Sequence, residues 1–285
     1  MNKKIVCKIK GGFANQCIQF VFAKTMAKKT NRELYLDLSD YKFGGVIQKI
    51  KGNTKQELFD YLSEQPAFNF SFFLEAFNCF GFVFSDGDPI SDIINCDSSL
   101  IYLNGYWHQD EYIDELDFSI IFELEREISK RISPSCMSLL EKIKSFSDSV
   151  SIHVRRGDYL EGKHKEIYGV CSIDYFIKSF EFICSKIDSM PEVFIFTDDP
   201  GWIDDKFNAI CRYHLVSGPT SLIDDFVLMM SCKHNIISNS SFSWLSAMLN
   251  TQGLSIKIAP KAWFKSTKMR GLSTRYFHTI ETELE

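Results

Sequence analysis

The sequence predicts an α/β fold built from two Rossmann-like domains, each a largely parallel sheet covered by helices. Three observations carry that expectation: a strand–helix–strand unit at the start, a regular strand–helix alternation from Val150 onward, and polar motifs placed directly behind strands. Parallel neighbours cannot be joined by a tight hairpin, so helical crossovers between apolar runs are the signature of this class.

At the start, KIVCKIK alternates apolar and polar residues and reads as a strand, GGFANQ as a turn, QCIQFVFAKTMAKK as an amphipathic helix and RELYLDLS as a second strand. Residues 53–100 are rich in phenylalanine without a clean period. IYLNGYWHQDEYI, residues 101–113, reads as a strand running into a loop. Helical residues follow from about 119 to 146, broken at Ser133-Pro134 because the position before a proline disfavours helix. The polar stretch SFSDS then predicts a junction, giving domains 1–147 and 148–285. Beyond it the chain reads strand VSIHV, helix SIDYFIKSFEFICSKI, strand EVFIF, helix around WIDDKF, strand RYHLV, helix LIDDFVLMMSCK, strand NIIS, helix SFSWLSAMLN and strand SIKIA.

Composition narrows the class. With 285 residues, 45% of them hydrophobic, the chain can bury a sizeable core. No apolar run reaches the roughly 18 residues of a membrane span, and MNKKIVCKIKGG lacks the apolar centre of a signal peptide, which predicts a cytoplasmic protein. Nine cysteines without a C-x-x-C pair or a histidine at zinc-ligand spacing predict free thiols. A net charge of −5 offers nothing to a nucleic-acid partner. Residues 1–32 nevertheless hold eight basic residues and no acid, and residues 251–280 hold six and no acid. Such ends suit either an anionic membrane surface or two solvated faces.

In an open α/β sheet, ligands bind beyond the carboxyl ends of the strands. Three motifs share that address: HVRRGDY after VSIHV, TDDPGW after EVFIF and NSSFSW after NIIS. Arg155 and Arg156 each offer a planar fork of donors that matches phosphate oxygens; the alternative is a salt bridge to Asp158. Ser240 or Ser241 can cap the next helix while its free N–H groups face an anion. Asp198 and Asp199 suit a guanine edge, a ribose or a magnesium ion, and equally suit ordinary loop chemistry. GGFANQ occupies the position of a phosphate loop but lacks the G-x-G-x-x-G spacing; Gly11 and Gly12 permit close approach, and Asn15 and Gln16 add polar contacts.

Together, GGFANQCIQF, GYWHQDEYI, HVRRGDY, TDD and CKHNIISNSSFSWLSAMLN resemble the bacterial α-1,2-fucosyltransferase family, in family order and across nearly the whole chain. The resemblance implies a GT-B-type fold with an acceptor-side N-terminal domain and a GDP-fucose-binding C-terminal domain. It implies inverting transfer of L-fucose to the 2-hydroxyl of a terminal galactoside, on a surface glycan or lipid-linked oligosaccharide, with no metal and no cofactor. By the same resemblance Arg155, Arg156 and His153 belong to the catalytic set. The acceptor hydroxyl must lose a proton, for which Asp158 is the candidate base, the alternative being that it only orients Arg155 or Arg156. Gly11, Gly12, Asn15, Gln16, Asp198, Asp199, Asn239, Ser240, Ser241 and Phe242 fall on the donor side. Ala14 stands where the family usually has glycine, so strain is expected there if the position needs a positive φ. Leu245 replaces a second tryptophan, and His108-Gln109 replaces Gln-Ser. Two rival classes are a transferase of another nucleotide sugar, with a metal held by Asp198 and Asp199, and a non-catalytic nucleotide or glycan binder.

Overall fold

The structure is a computed structural model that describes residues 3–38, 83–208, 210–216, 218 and 220–285. Residues 53–82 of the Phe-rich stretch, Cys79 included, lie outside the described residues. The chain divides into two compact units, residues 1–124 and 125–285. This division precedes the junction expected at residue 147. Helical residues after 124 pack with the second unit, where the Ser133 backbone N–H donates to Asp224 at 2.7 Å.

In the first unit, β1 (Lys4–Lys8), β2 (Glu33–Asp37), β3 (Val83–Phe84) and β4 (Leu100–Leu103) form a parallel sheet in the order β2-β1-β4-β3. The crossover α1 (Phe13–Lys29) departs from expectation twice. It begins at Phe13, so Asn15 and Gln16 lie in its first turn and not in the preceding loop. It is also buried nearly all round, with Gln16, Gln19 and Thr25 inside alongside its apolar residues, as befits a helix enclosed on more than one side. Short helices α2 (Ile90–Asn95) and α3 (Asp110–Ile113) flank β4, and α4 (Phe118–Ser129) runs from one unit into the other.

In the second unit, a single turn at Pro134–Cys136 follows the expected break, and α5 (Met137–Ser145) precedes β5 (Ser149–Val154). A helical turn at Asp158–Leu160 and α6 (Gly162–Ile167) lead to α7 (Ile173–Cys184). Next come β6 (Glu192–Thr197), α8 (Pro200–Phe207), β7 (Tyr213–Val216), α9 (Leu222–Ser231), β8 (His234–Ile236), α10 (Ser241–Leu249), β9 (Lys257–Pro260) and β10 (His278–Ile280). The sheet is parallel throughout, in the order β10-β9-β8-β5-β6-β7. The three-residue edge strand β10 is exposed at His278 and Thr279 and has no sequence signature.

This order is that of a doubly wound Rossmann sheet, with the order of strand addition reversing between β5 and β8. β5 is buried along its whole length, and Val150, Ile152 and Val154 pack with Val193, Ile195, Tyr175 and Phe176 in the unit's core. The expected fold class, α/β with two Rossmann-like units each built on a parallel sheet, is what the two sheets show. The eight cysteines among the described residues are free, and burial pushes the Cys7, Cys17 and Cys232 thiols well up, so they are inert apolar filling. Among the described residues no helix is long and apolar enough to cross a membrane.

Candidate functional site

Strand register brings the three motifs of the second unit together. β5 lies between β6 and β8, with Val154 opposite Thr197 and Ile152 opposite Ile236. HVRRGDY therefore leaves the sheet at the switch point, flanked by TDDPGW and NSSFSW. A crevice of this kind is where doubly wound folds take their ligands.

The two acids after β6 organise the arginine loop. Asp198 accepts from the backbone N–H groups of Arg156 at 2.8 Å and Gly157 at 3.1 Å, and from Arg155 Nη1 at 2.9 Å. A Cβ at Gly157 would stand 2.8 Å from the Asp198 carboxylate, so only glycine permits this clasp. Asp199 caps α8 by accepting from the Trp202 N–H at 3.3 Å and takes Arg156 Nε at 3.1 Å. Both carboxylates are thus engaged with cations and amides. Among the described residues no group of three or more His, Cys, Asp or Glu is placed to hold a metal ion.

The arginines are not equivalent. Arg155 is shared between Asp158 at 2.6 Å and Asp198, as the salt-bridge alternative expects. Arg156 spends only Nε on a carboxylate; its guanidinium lies 4.4 Å from the Trp202 ring centroid, and its Nη1 is buried without a partner. An unpaired buried guanidinium nitrogen is costly, and an anion entering there recovers that cost. Asp158, half exposed, also lies 3.6 Å from His164 Nδ1.

On the other side of β5, Ser240 occupies the N-cap of α10 without making a side-chain cap bond, contrary to the capping expectation, and Ser241 opens the helix. The helix end is left able to receive an anion. Asn239 departs from its expected donor contact. Its buried amide nitrogen donates to the carbonyls of Tyr168, Gly169 and Trp263 at 3.1 to 3.3 Å and has no hydrogen left, so its side chain braces loops. His153 Nδ1 pairs with Ser238 Oγ at 2.8 Å, and its ring lies 5.9 Å from Phe242. Burial, and secondly Arg155, lowers the His153 pKa to about 3, so the ring is neutral at physiological pH.

One marked residue has no counterpart in the sequence reading. Asp225 lies in the first turn of α9, which starts at the carboxyl edge. Its Oδ1 is buried without a partner, and burial, with Asp224 adding to it, raises its pKa to about 6. The neighbouring Phe226 meets Phe242 edge-on at 5.4 Å, which ties this helix to the His153 side of the crevice. The signal was present in LIDDFV. Ser221 and Asp224 form a capping box that accounts for one acid and leaves the second unexplained.

In the first unit, Gly11 has φ +80 and Gly12 is the N-cap of α1. Gln16 Nε2 donates to the Gly11 carbonyl at 3.0 Å, and Asn15 Oδ1 is buried without a partner. Ala14 is helical, so the strain expected there is absent; the positive φ falls on Gly11.

A family model described as glycosyl transferase family 11 matches residues 66–278. The chain belongs to glycosyl transferase family 11. An α-1,2-colitosyltransferase of Escherichia coli is 27% identical over 93% of this chain and 94% of its own length. The O-antigen biosynthesis glycosyltransferase WbnK of Escherichia coli is 36% identical over 41% of this chain and 40% of its own. Among solved structures, the α-1,6-fucosyltransferase NodZ co-crystallised with GDP covers 90% of this chain and 96% of its own, with 16% identity and a TM-score of 0.49. POFUT1 in complex with GDP-fucose covers 89% and 96%, with 13% identity and a TM-score of 0.45. Family membership and the two curated relatives make this family 11 chain a glycosyltransferase.

Proposed function

We propose that this glycosyltransferase moves L-fucose from GDP-fucose to the 2-hydroxyl of a terminal galactoside, with inversion, without a metal or cofactor, on a surface glycan or lipid-linked oligosaccharide. The observation that carries the reading is the Arg156 guanidinium at the β5/β8 switch point, its Nη1 buried and unpaired, with the uncapped start of α10 behind the adjacent strand. Both suit the diphosphate of a nucleotide sugar. The Asp225 carboxylate suits the two N–H donors on a guanine edge.

Breaking the fucose C1–O bond leaves its electron pair on the β-phosphate oxygen. Donors preorganised at that oxygen stabilise the transition state more than the ground state. The acceptor oxygen attacks C1 from the opposite face and gives up its proton late, to solvent water, because the transition state resembles an oxocarbenium ion. Asp158, paired with Arg155 at 2.6 Å, then acts as a positioning group and not as the dedicated base. A pH-rate profile of Asp158→Asn that keeps its acidic limb supports this, and loss of that limb returns Asp158 to the base role.

Metal independence has physical support in Asp198 and Asp199, whose carboxylates are taken up by arginines and amides. The test is transfer from GDP-fucose to a panel of β-galactosides with EDTA present, followed by linkage analysis. A 2-O-fucosylated product is expected. GDP binding without product on any acceptor would favour a non-catalytic binder, and EDTA inhibition would favour the metal-dependent rival.

A second donor is favoured by one observation, the full-length similarity to an α-1,2-colitosyltransferase. Competition between GDP-fucose and the corresponding colitosyl nucleotide separates the two. For location, the reading is a cytoplasmic enzyme associated peripherally with an anionic membrane face through its basic ends. Flotation with anionic liposomes that shows no salt-sensitive binding would remove that part.

A further inference from the structure

The first unit carries a second arrangement at its own carboxyl edge. Behind β4 the chain runs Asn104-Gly105-Tyr106-Trp107-His108-Gln109, and Trp107 adopts a left-handed backbone, φ 60, which is unusual for a bulky residue. Two features hold it there. The Trp107 indole is fully buried, stacked on Phe22 at 4.5 Å and edge-on to Tyr112 at 5.0 Å. The Asp86 carboxylate accepts from the adjacent backbone N–H groups of Tyr106, at 2.8 and 2.9 Å, and Trp107, at 2.8 Å. A Cβ at Gly105 would approach both Asp86 and the Trp107 ring within 3 Å, so the close fit needs glycine. Asp86 is itself fixed, because Tyr112 Oη accepts from the Gly87 N–H at 2.7 Å and donates to the Asp88 carbonyl at 2.9 Å.

The result is that Tyr106, alone of this aromatic group, is turned outward with 38% of its surface exposed. Its ring lies beside Gly11, 3.4 Å from where a Cβ would stand, and beneath Lys10 Nζ at 4.8 Å. Among the described residues, the groups beside the ring suit a neutral ligand better than a phosphate. Arg32 is the sole arginine of this unit, and it is spent on the Ser98 and Cys96 carbonyls ahead of the opposite end of β4. Lys10 is bonded to Asn104 Oδ1 at 2.9 Å, and Gln109, three residues after Tyr106, has a buried Oε1 without a partner. A galactopyranoside presents C–H groups on one face, which suit an aromatic ring, and hydroxyls around its rim, which suit amide oxygens.

We infer that the Tyr106 ring is the platform on which the acceptor pyranoside stacks, and that Asp86 is the positioning residue that presents it by holding the strained turn at Trp107. This rests on the galactoside-modifying reading above. The test is steady-state transfer from GDP-fucose to lactose and N-acetyllactosamine, with GDP affinity measured by calorimetry on the same preparations. Tyr106→Ala is expected to raise the acceptor KM about tenfold at nearly unchanged kcat, as loss of uniform binding does. GDP affinity is expected to stay within about twofold. Asp86→Ala is expected to reproduce the KM effect without adding to it in the double variant, and Asp86→Asn, which keeps one carbonyl acceptor, to restore most of it. An unchanged acceptor KM in Tyr106→Ala, or a loss of GDP affinity equal to the KM effect, overturns the inference while leaving the donor reading intact. Absence of transfer by the unsubstituted enzyme to either sugar overturns the inference together with the reading it rests on.

Discussion

Arg156 Nε donates to Asp199 at 3.1 Å, and that same carboxylate caps α8, so the orientation of one guanidinium is tied to the start of a helix behind the neighbouring strand. Trp202, in the first turn of that helix, supplies the surface on which the guanidinium lies. The fork left over, Nη1 and Nη2, is therefore held in a fixed direction before any ligand arrives. Preorganisation of this kind is what electrostatic catalysis requires.

Replacing Arg156 by alanine is expected to lower kcat by about 100- to 1000-fold, the range found when one donor to a developing oxyanion is removed. Arg156→Lys is expected to recover little, because a point charge cannot keep both the Asp199 bond and the stacked fork. Arg155→Ala is expected to cost less, since Arg155 already shares two carboxylates. Single-turnover rates on the three variants check the ranking.

Asp198→Ala removes three hydrogen-bond acceptances from the arginine loop at once, and stability is expected to fall by about 1 to 3 kcal/mol. Asp198→Asn retains an oxygen for the two amides and is expected to lose less. Denaturant midpoints of the two variants, measured with and without GDP, separate loop stability from ligand binding.

Histidine burial gives the fold an acid-sensitive component. His153 is held neutral with its pKa near 3, whereas the unfolded chain takes up a proton there around pH 6.5. Unfolding therefore gains protons below about pH 6.5, and this contribution to stability is lost progressively as pH falls towards about 3. His108, lowered to about 3 by burial, acts in the same direction. Asp225, raised to about 6, opposes them between its unfolded and folded values by holding a proton in the native state. The difference between the wild type and His153→Gln is accordingly the readout, and the variant is expected to show a shallower loss of stability between pH 7 and pH 5.

The raised Asp225 pKa also sets a condition on the nucleotide. Only the ionised carboxylate accepts two guanine N–H bonds, so GDP affinity is expected to decline as pH drops through about 6. Asp225→Asn is expected to bind GDP about tenfold more weakly and to lose that pH dependence. Calorimetric titrations at pH 7.5 and pH 5.5 decide it.

Much of the second unit was legible because its strands are continuous apolar runs bounded by polar loops. EVFIF and VSIHV are buried strands in structure as in pattern, and the shared address of the three motifs follows from their parallel register. What escaped the sequence depends on tertiary partners. The start of α1 at Phe13 is hidden because neither Gly12 nor a neighbouring side chain caps it. Asn239 reads as a ligand contact until its three carbonyl partners, more than 20 residues away in sequence, come together around it. The inequality of Arg155 and Arg156 is likewise invisible in RRGD, since it arises from which carboxylate each meets across the sheet. The Tyr106 turn depends on Asp86, which no local pattern links to it.

The central claim, that the guanidinium behind β5 receives the donor diphosphate, is tested most directly by titrating GDP and guanosine in parallel against the wild type and Arg156→Ala. The wild type is expected to prefer GDP by roughly 100-fold or more, and Arg156→Ala to lose at least about tenfold of that preference while binding guanosine unchanged. A preference for GDP that survives the substitution intact, or an equal loss for both ligands, would contradict the claim.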